Sequence, residues 1–183
     1  ISNAELGSSG KEVNVYAGGI ASANAKSSSV ESAQLQITAT TVSGSVYTGG
    51  SGANSTVGTS SASLTDVTIS KALDLSGAKE TAVVFTGVNS VGSVTGTAQS
   101  YTFNAVDEQT AAVLTVKDGD IDLSKATSIR AKAKAGQTLI DGSVTTGKDT
   151  VVVVETPTGD FTYNVKAGTG DGMEITSGGL QIG

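Results

Sequence analysis

Asp118, Asp120 and Asp122 alternate along Asp-Gly-Asp-Ile-Asp, and carboxylates at that spacing are the first place to look for chemistry. In an extended turn the three could converge on Ca²⁺, a hard cation that takes several oxygen ligands. The twelve-residue helix–loop–helix pattern is missing, however, and Asp-Gly is the ordinary turn dipeptide. A plain turn is the simpler expectation, and no cofactor is assigned. Asp160 and Asp171 are weaker candidates still. Paired carboxylates can hydrolyse glycosides without histidine. Here the aromatic platforms that sugars need are scarce, with no Trp, four Tyr and three Phe.

Histidine and cysteine are both absent. That removes Ser-His-Asp and Cys-His centres, His- or thiolate-bound metals, and disulfides. The Gly-x-Gly pieces lie in Ser/Thr-rich stretches rather than ahead of a helix, so no phosphate loop is expected. Asn54-Ser55-Thr56 matches the N-glycosylation triplet, a pattern frequent by chance. A Lys–Asn crosslink beside a buried carboxylate has all three residue types available, and sequence cannot place them. The expectation is a protein that is not an enzyme.

The net charge is −6 and the pI about 4.5. With 11 basic residues there is no electrostatic footprint for nucleic acid or anionic lipid. Lys125, Arg130, Lys132 and Lys134 form the densest basic patch, expected to be a solvated face or a guarded sheet edge. No apolar run is long enough to span a bilayer, so no membrane insertion is expected. The chain begins at Ile1 rather than Met, as a processed chain or an excised piece would; removal of a signal peptide is the simplest natural cause.

What would position any site is a series of short strands. Asp149 to Lys166 holds the strongest: Val151 to Val154 is an unbroken β-branched run that suits a pleated strand and wants cover on both faces. Pro157 and Gly159 then make a turn, and Phe161, Tyr163 and Val165 share one face of the return strand. Ala33 to Val42 alternates apolar and polar residues as a half-buried strand. Lys11 to Tyr16, Leu64 to Leu75, Thr81 to Val88, Tyr101 to Val106 and Val113 to Val116 are further strands, the last ended by Lys117 to Asp120. The tail from Met173 adds two short alternating pieces. Residues 43–63 read as a flexible loop or linker, and 107–112 as the best chance for a short helix.

Three fragments recur. Gly-Ser-Val stands at 44–46, 92–94 and 142–144, and Asp-Leu-Ser at 74–76 and 122–124. Tyr101-Thr102-Phe103-Asn104 is echoed by Phe161-Thr162-Tyr163-Asn164. A period near 50 residues suggests repeated β-units. Hydrophobic content is 37%, aromatic 4% and charged 15%, with 24 Gly and one Pro; that stock supports a thin aliphatic core. The expected fold is all-β with little helix: an antiparallel β-sandwich, or linked β-units with Gly/Ser/Thr-rich turns. Residues 1–183 form one β-rich region, with sub-units at 1–63, 64–124 and 125–183 as its natural divisions.

This composition resembles the variable outer domains of bacterial flagellins and, more broadly, secreted filament and adhesin β-domains. Gly179-Leu180-Gln181-Ile182-Gly183 is similar to a flagellin segment near the junction with the helical core. The resemblance implies an extracellular structural subunit or outer domain that associates with its own copies. The strands near the two termini are its expected self-assembly elements, through Val13, Val15, Tyr16, Ile175, Leu180 and Ile182. Two alternatives remain: a monomeric adhesin or carbohydrate-binding module with a host-surface or glycan ligand, and a phage tail or capsid decoration domain.

Overall fold

The computed structural model describes residues 1–22, 27–156, 159–164, 173–176 and 179–182. Among them every regular element is a strand and there is no helix. The chain winds in successive rungs. The first rung contributes only β1 (Glu5–Leu6) and β2 (Val15–Tyr16), and the second β3 (Ser28–Val42) and β4 (Val46–Tyr47). The third is one long strand, β5 (Ser55–Asp74). Then come β6 (Glu80–Thr86) with β7 (Asn89–Thr95), β8 (Ser100–Asn104) with β9 (Leu114–Asp122), and β10 (Ser128–Lys132) with β11 (Thr138–Thr145). The last rung is β12 (Val151–Thr156), followed by β13 (Gly159–Asn164), β14 (Met173–Thr176) and β15 (Gly179–Ile182).

Each rung lies on the one before in parallel. Ser28 sits opposite Ser55, Thr59 opposite Glu80, Ala82 opposite Ser100, Ser100 opposite Ser128 and Arg130 opposite Val153. These pairings define a first face through β3, β5, β6, β8, β10 and β12. The second halves of the rungs stack as a second face, where Thr40 opposes Val67, and Leu114 lies between Asn89 and Ile140. A short third face joins Val15, Val46, Leu73 and Val94 in one row, with Ile121 opposite Val144 further along. The result is a solenoid: one curled sheet wrapped round its own core.

That geometry replaces the expected antiparallel sandwich, because the main sheet is parallel. Among the described residues antiparallel pairing between strands is confined to β12 with β13, β11 with β15, and β14 with β15, apart from an isolated Ser8–Lys11 bridge. The misreading has a physical source. Parallel sheets usually lie between two layers of helices, and their strands read as continuous apolar runs. Here the outer face is wet, so the strands alternate as antiparallel ones do. β6 shows the pattern, with Thr81, Val83 and Phe85 buried between more exposed neighbours.

The core is built from rows that run across the rungs. Ile37, Leu64, Phe85, Phe103, Ala131 and Val154 occupy one register position on the first face, and all are buried. The Phe85 and Phe103 rings stack with centroids 5.5 Å apart. Val42, Ile69, Val91 and Val116 make the equivalent row on the second face. With few aromatics, it is this repetition of aliphatic rows that removes enough apolar area from water to hold the fold, at roughly 25 cal/mol per Å².

Corners are fixed by backbone. Ala39 (φ 46°), Asp66 (φ 53°) and Gly87 (φ 70°) take the left-handed conformation at the same corner of three rungs. Asp66 also uses its side chain there: its Oδ1 accepts from the Val88 N–H at 2.8 Å. Asn89, 1% exposed, lies just past the same corner. It accepts from Val67 N at 3.0 Å and donates to Thr86 O at 2.9 Å and Val113 O at 3.1 Å, so its buried amide is satisfied. At another corner the backbones of Gly18, Gly49 and Gly77 approach so closely that an added Cβ on Gly49 would strike the Gly77 carbonyl.

Several expectations need correction. Residues 43–63 are not a linker: they hold β4 and the first half of β5, and the boundary at 63/64 falls inside that strand. Asp107 and Glu108 stand in a turn, and no helix forms over 107–112. β9 runs on through Lys117–Asp120 to Asp122 rather than ending there. Lys132 lies on β10, which is flanked on both sides and is no sheet edge, although its side chain is exposed as a solvated face requires. The Val151–Val154 hairpin forms as expected, with Val152 and Val154 buried and Val151 and Val153 half-buried. Its turn at Pro157 and Thr158, and Val165, lie outside the described residues.

Candidate interaction surface

Asp118, Asp120 and Asp122 are spread along the end of β9, the first two exposed and the third half-buried. Gly119 (φ 76°) bends the strand between Asp118 and Asp120. Asp120 Oδ2 accepts from the Thr145 hydroxyl at 2.6 Å, and Asp122 Oδ1 accepts from the Ser124 N–H at 2.8 Å. Asp74 makes the same side-chain turn two rungs earlier, its Oδ1 accepting from Ser76 N at 2.8 Å. Among the described residues no three acidic side chains come together in a group able to hold a metal.

Tyr16 and Tyr47 stand opposite each other on the outward side of the third face, their rings stacked at 4.4 Å and 6°. Both are half-buried. A shallow groove runs beside Tyr47, lined also by Ser55, Asp74, Ser76 and Lys79. Gly50, Gly52 and Gly77 of the neighbouring corner complete its lining. Tyr47 was not singled out by sequence reasoning. The signal available was the Val-Tyr pair at both 15–16 and 46–47.

Among the described residues Tyr101 is the most perturbed titratable group. It is wholly buried. Its oxygen accepts from Ala98 N at 2.9 Å and donates to Asp122 O at 3.2 Å. Burial pushes the phenol up to about 12; the Ala98 bond opposes that rise and the Asp122 charge adds to it. Both hydrogen bonds point inward, so the residue is structural. On the surface, Lys134 lies 3.1 Å from Asp107 and 3.8 Å from Glu108, and the Asp107 contact raises its pKa.

The self-assembly candidates divide. Val13 is 40% exposed, while Val15 is half-buried and paired to β4. Leu180 and Ile182 are buried in the protein's own core on β15, which pairs with both β11 and β14. They offer no free surface. Ile175 opposes Leu180 from β14, whose other edge carries no strand among the described residues.

At the opposite end of the stack, only part of β3 is covered. Ser2 bridges to Thr38, and Glu5 and Leu6 pair with Thr41 and Val42. The Ile1 ammonium donates to Gln36 O at 2.9 Å and marks where that cover stops. From Ser28 to Leu35, β3 pairs with β5 alone among the described residues. Sequence alternation located this strand, but nothing in it says which strand ends a stack. No family model, no curated protein and no solved structure matches the chain.

Proposed function

We propose that this protein is a structural subunit or outer domain of an extracellular filament or surface assembly, and that it associates with its own copies through sheet edges. The observation that carries this reading is that, among the described residues, a strand edge is unpaired at each end of the stack, part of β3 at one end and β13 and β14 at the other. A stack grown by parallel addition has no intrinsic length, so unpaired backbone at its ends invites another strand. The acidic, His-free and Cys-free composition and the polar outer faces accord with a scaffold exposed to solvent rather than a catalyst. Sedimentation of the chain over a concentration series, with microscopy at the high end, tests the proposal. Concentration-dependent polymers support it, and a monomer at every concentration overturns it. Deleting residues 1–16, the direct way to strip one end, would also uncover Ile37, Val42 and Val46, so point substitutions are the better probes.

The groove beside the Tyr16–Tyr47 pair favours one second reading, a glycan-binding module. Sugars stack on aromatic faces and hydrogen-bond to carboxylates such as Asp74. Saturable binding on a glycan array that disappears in Tyr47→Ala, from a chain that stays monomeric, would establish it over self-assembly.

A further inference from the structure

We infer that the groove beside the Tyr16–Tyr47 pair takes a sugar acid, a hexuronate ring that rests on Tyr47, hydrogen-bonds to Asp74 and sets its carboxylate against Lys79. The inference rests on the glycan-binding reading above and names the sugar class and the side chains that receive it.

The platform comes from a break in one outward row. On the third face Tyr16, Tyr47, Asp74 and Thr95 stand opposite one another in successive rungs. The first two rings stack at 4.4 Å and 6°. A third ring at the place of Asp74 would continue the stack at the strand spacing, roughly 4.8 Å. Asp74 is shorter than a phenol, and its carboxylate is tied to the corner: Oδ1 accepts from the Ser76 N–H at 2.8 Å and from the Ser76 hydroxyl at 2.6 Å. Tyr16 occupies one face of the Tyr47 ring, so the groove that Tyr47 lines meets the other. A flat ligand with one apolar face fills the place of the missing third ring. The C–H face of a pyranose is such a surface, and its rim carries hydroxyls.

The polar side chains then select among sugars. Ser76 fixes the Asp74 carboxylate before any ligand arrives, and Oδ2 is left to accept from a sugar hydroxyl; a preorganised acceptor costs less to engage. Lys79 lines the same groove and is exposed. Among the described residues it makes no ion pair, whereas Lys71, Lys134 and Lys148 each face a carboxylate. Its neighbour Glu80 lines a different groove, with Gln99. The Tyr47 groove holds about 460 Å³, the size of a small-ligand site. With a net charge of −6 the chain as a whole repels anions, so any preference for an acid has to come from a cation at the groove.

Calorimetric titration of the full chain with short oligomers of galacturonate, glucuronate and mannuronate, each beside its neutral methyl ester, tests the assignment. The expected result is that at least one acid binds about two- to fivefold more tightly than its ester, the range of an exposed ion pair, and that Lys79→Gln abolishes the preference. Tyr47→Phe should bind as wild type does, and Tyr47→Ala should lose about tenfold for acid and ester alike. Lys79 is exposed, so Lys79→Gln leaves the fold intact, and circular dichroism checks Tyr47→Ala. If Tyr47→Ala is unfolded, Tyr47→Leu, which keeps apolar bulk without a flat face, must show the loss instead. Acid and ester that bind alike, or a preference that survives Lys79→Gln, would overturn the sugar-acid assignment and leave a glycan site standing. Acid binding that the Tyr47 substitutions leave unchanged would overturn it too, as surface charge alone. If no acid or ester binds, the assignment falls; if the glycan array is blank as well, the glycan-binding reading falls with it.

Discussion

At its N-terminal end the stack is finished by two parallel strands of two residues each, β1 and β2. At its C-terminal end it is finished by antiparallel strands, β13 folded back on β12 over six residue pairs and β14 on β15 over four. The difference is one of chain economy. A parallel neighbour exists only where the chain has travelled round a whole rung, whereas a hairpin needs only a tight turn. The C-terminal end therefore covers its last rung with local pairing. The N-terminal end depends on a strand from further away, and among the described residues half of β3 is paired on one side only. Between the two ends the rungs are tied by rows of buried side chains, and the middle should be far less tolerant than either end.

The largest test of that contrast is Phe85→Ala against Leu6→Ala. Phe85 is wholly buried in mid-stack between Leu64 and Phe103, and its loss should cost about 3–5 kcal/mol. Leu6 is only partly buried at the N-terminal rim, so its truncation should cost roughly 1 kcal/mol, because much of its surface already meets water. Urea midpoints measure both, and equal losses would break the contrast. Asn89→Ala comes next. It strands the buried Val67 N–H and two carbonyl partners at a mid-stack corner, for about 2–3 kcal/mol.

Tyr101→Phe sharpens the same comparison through pH. The folded phenol ionises near 12, above its ordinary value of 10.0. The folded state therefore holds the proton more tightly than the unfolded one. That contribution is intact below pH 10.0 and is lost as pH rises from there toward about 12. Alkaline unfolding should fall in this window for wild type, and Tyr101→Phe should unfold with a weaker pH dependence there. At neutral pH the substitution should cost about 1 kcal/mol for the two lost hydrogen bonds. An unchanged alkaline profile would refute the role. The smallest expected effect has the opposite sign. Ala39 is exposed and holds φ 46° at the corner where Gly87 stands two rungs on. Ala39→Gly should stabilise the protein by about 0.5–1 kcal/mol, because glycine takes that conformation without a Cβ clash. A lower urea midpoint would count against the corner assignment.

The recurring fragments show how far a linear reading reaches. Gly44-Ser45-Val46 and Gly92-Ser93-Val94 fall at equivalent corners two rungs apart, with Leu73 of the intervening rung between Val46 and Val94. Asp74-Leu75-Ser76 and Asp122-Leu123-Ser124 likewise end the third face on rungs two apart. The period near 50 was thus visible, but it measures two turns of the solenoid rather than one β-unit. The intervening rungs fill the same places with different residues. The aromatic echo behaves otherwise: Tyr101–Asn104 runs parallel to its neighbours and Phe161–Asn164 antiparallel. Similar strands can serve opposite directions, because a pleated strand alternates its sides whichever way its partner runs.

By itself the sequence determined that the chain is β-rich, which side of most strands faces inward, and which common chemistries lack their residues. Those properties follow from side-chain type and a period of two, both local. Only the tertiary structure decided that the pairing is mostly parallel, that residues 55–63 join the longest strand, that Leu180 and Ile182 belong to the core, and that one half of β3 is paired on one side alone among the described residues. Each of these depends on which distant segment lies alongside. Backbone hydrogen bonds carry no residue code, so the partner is chosen by how the whole chain coils.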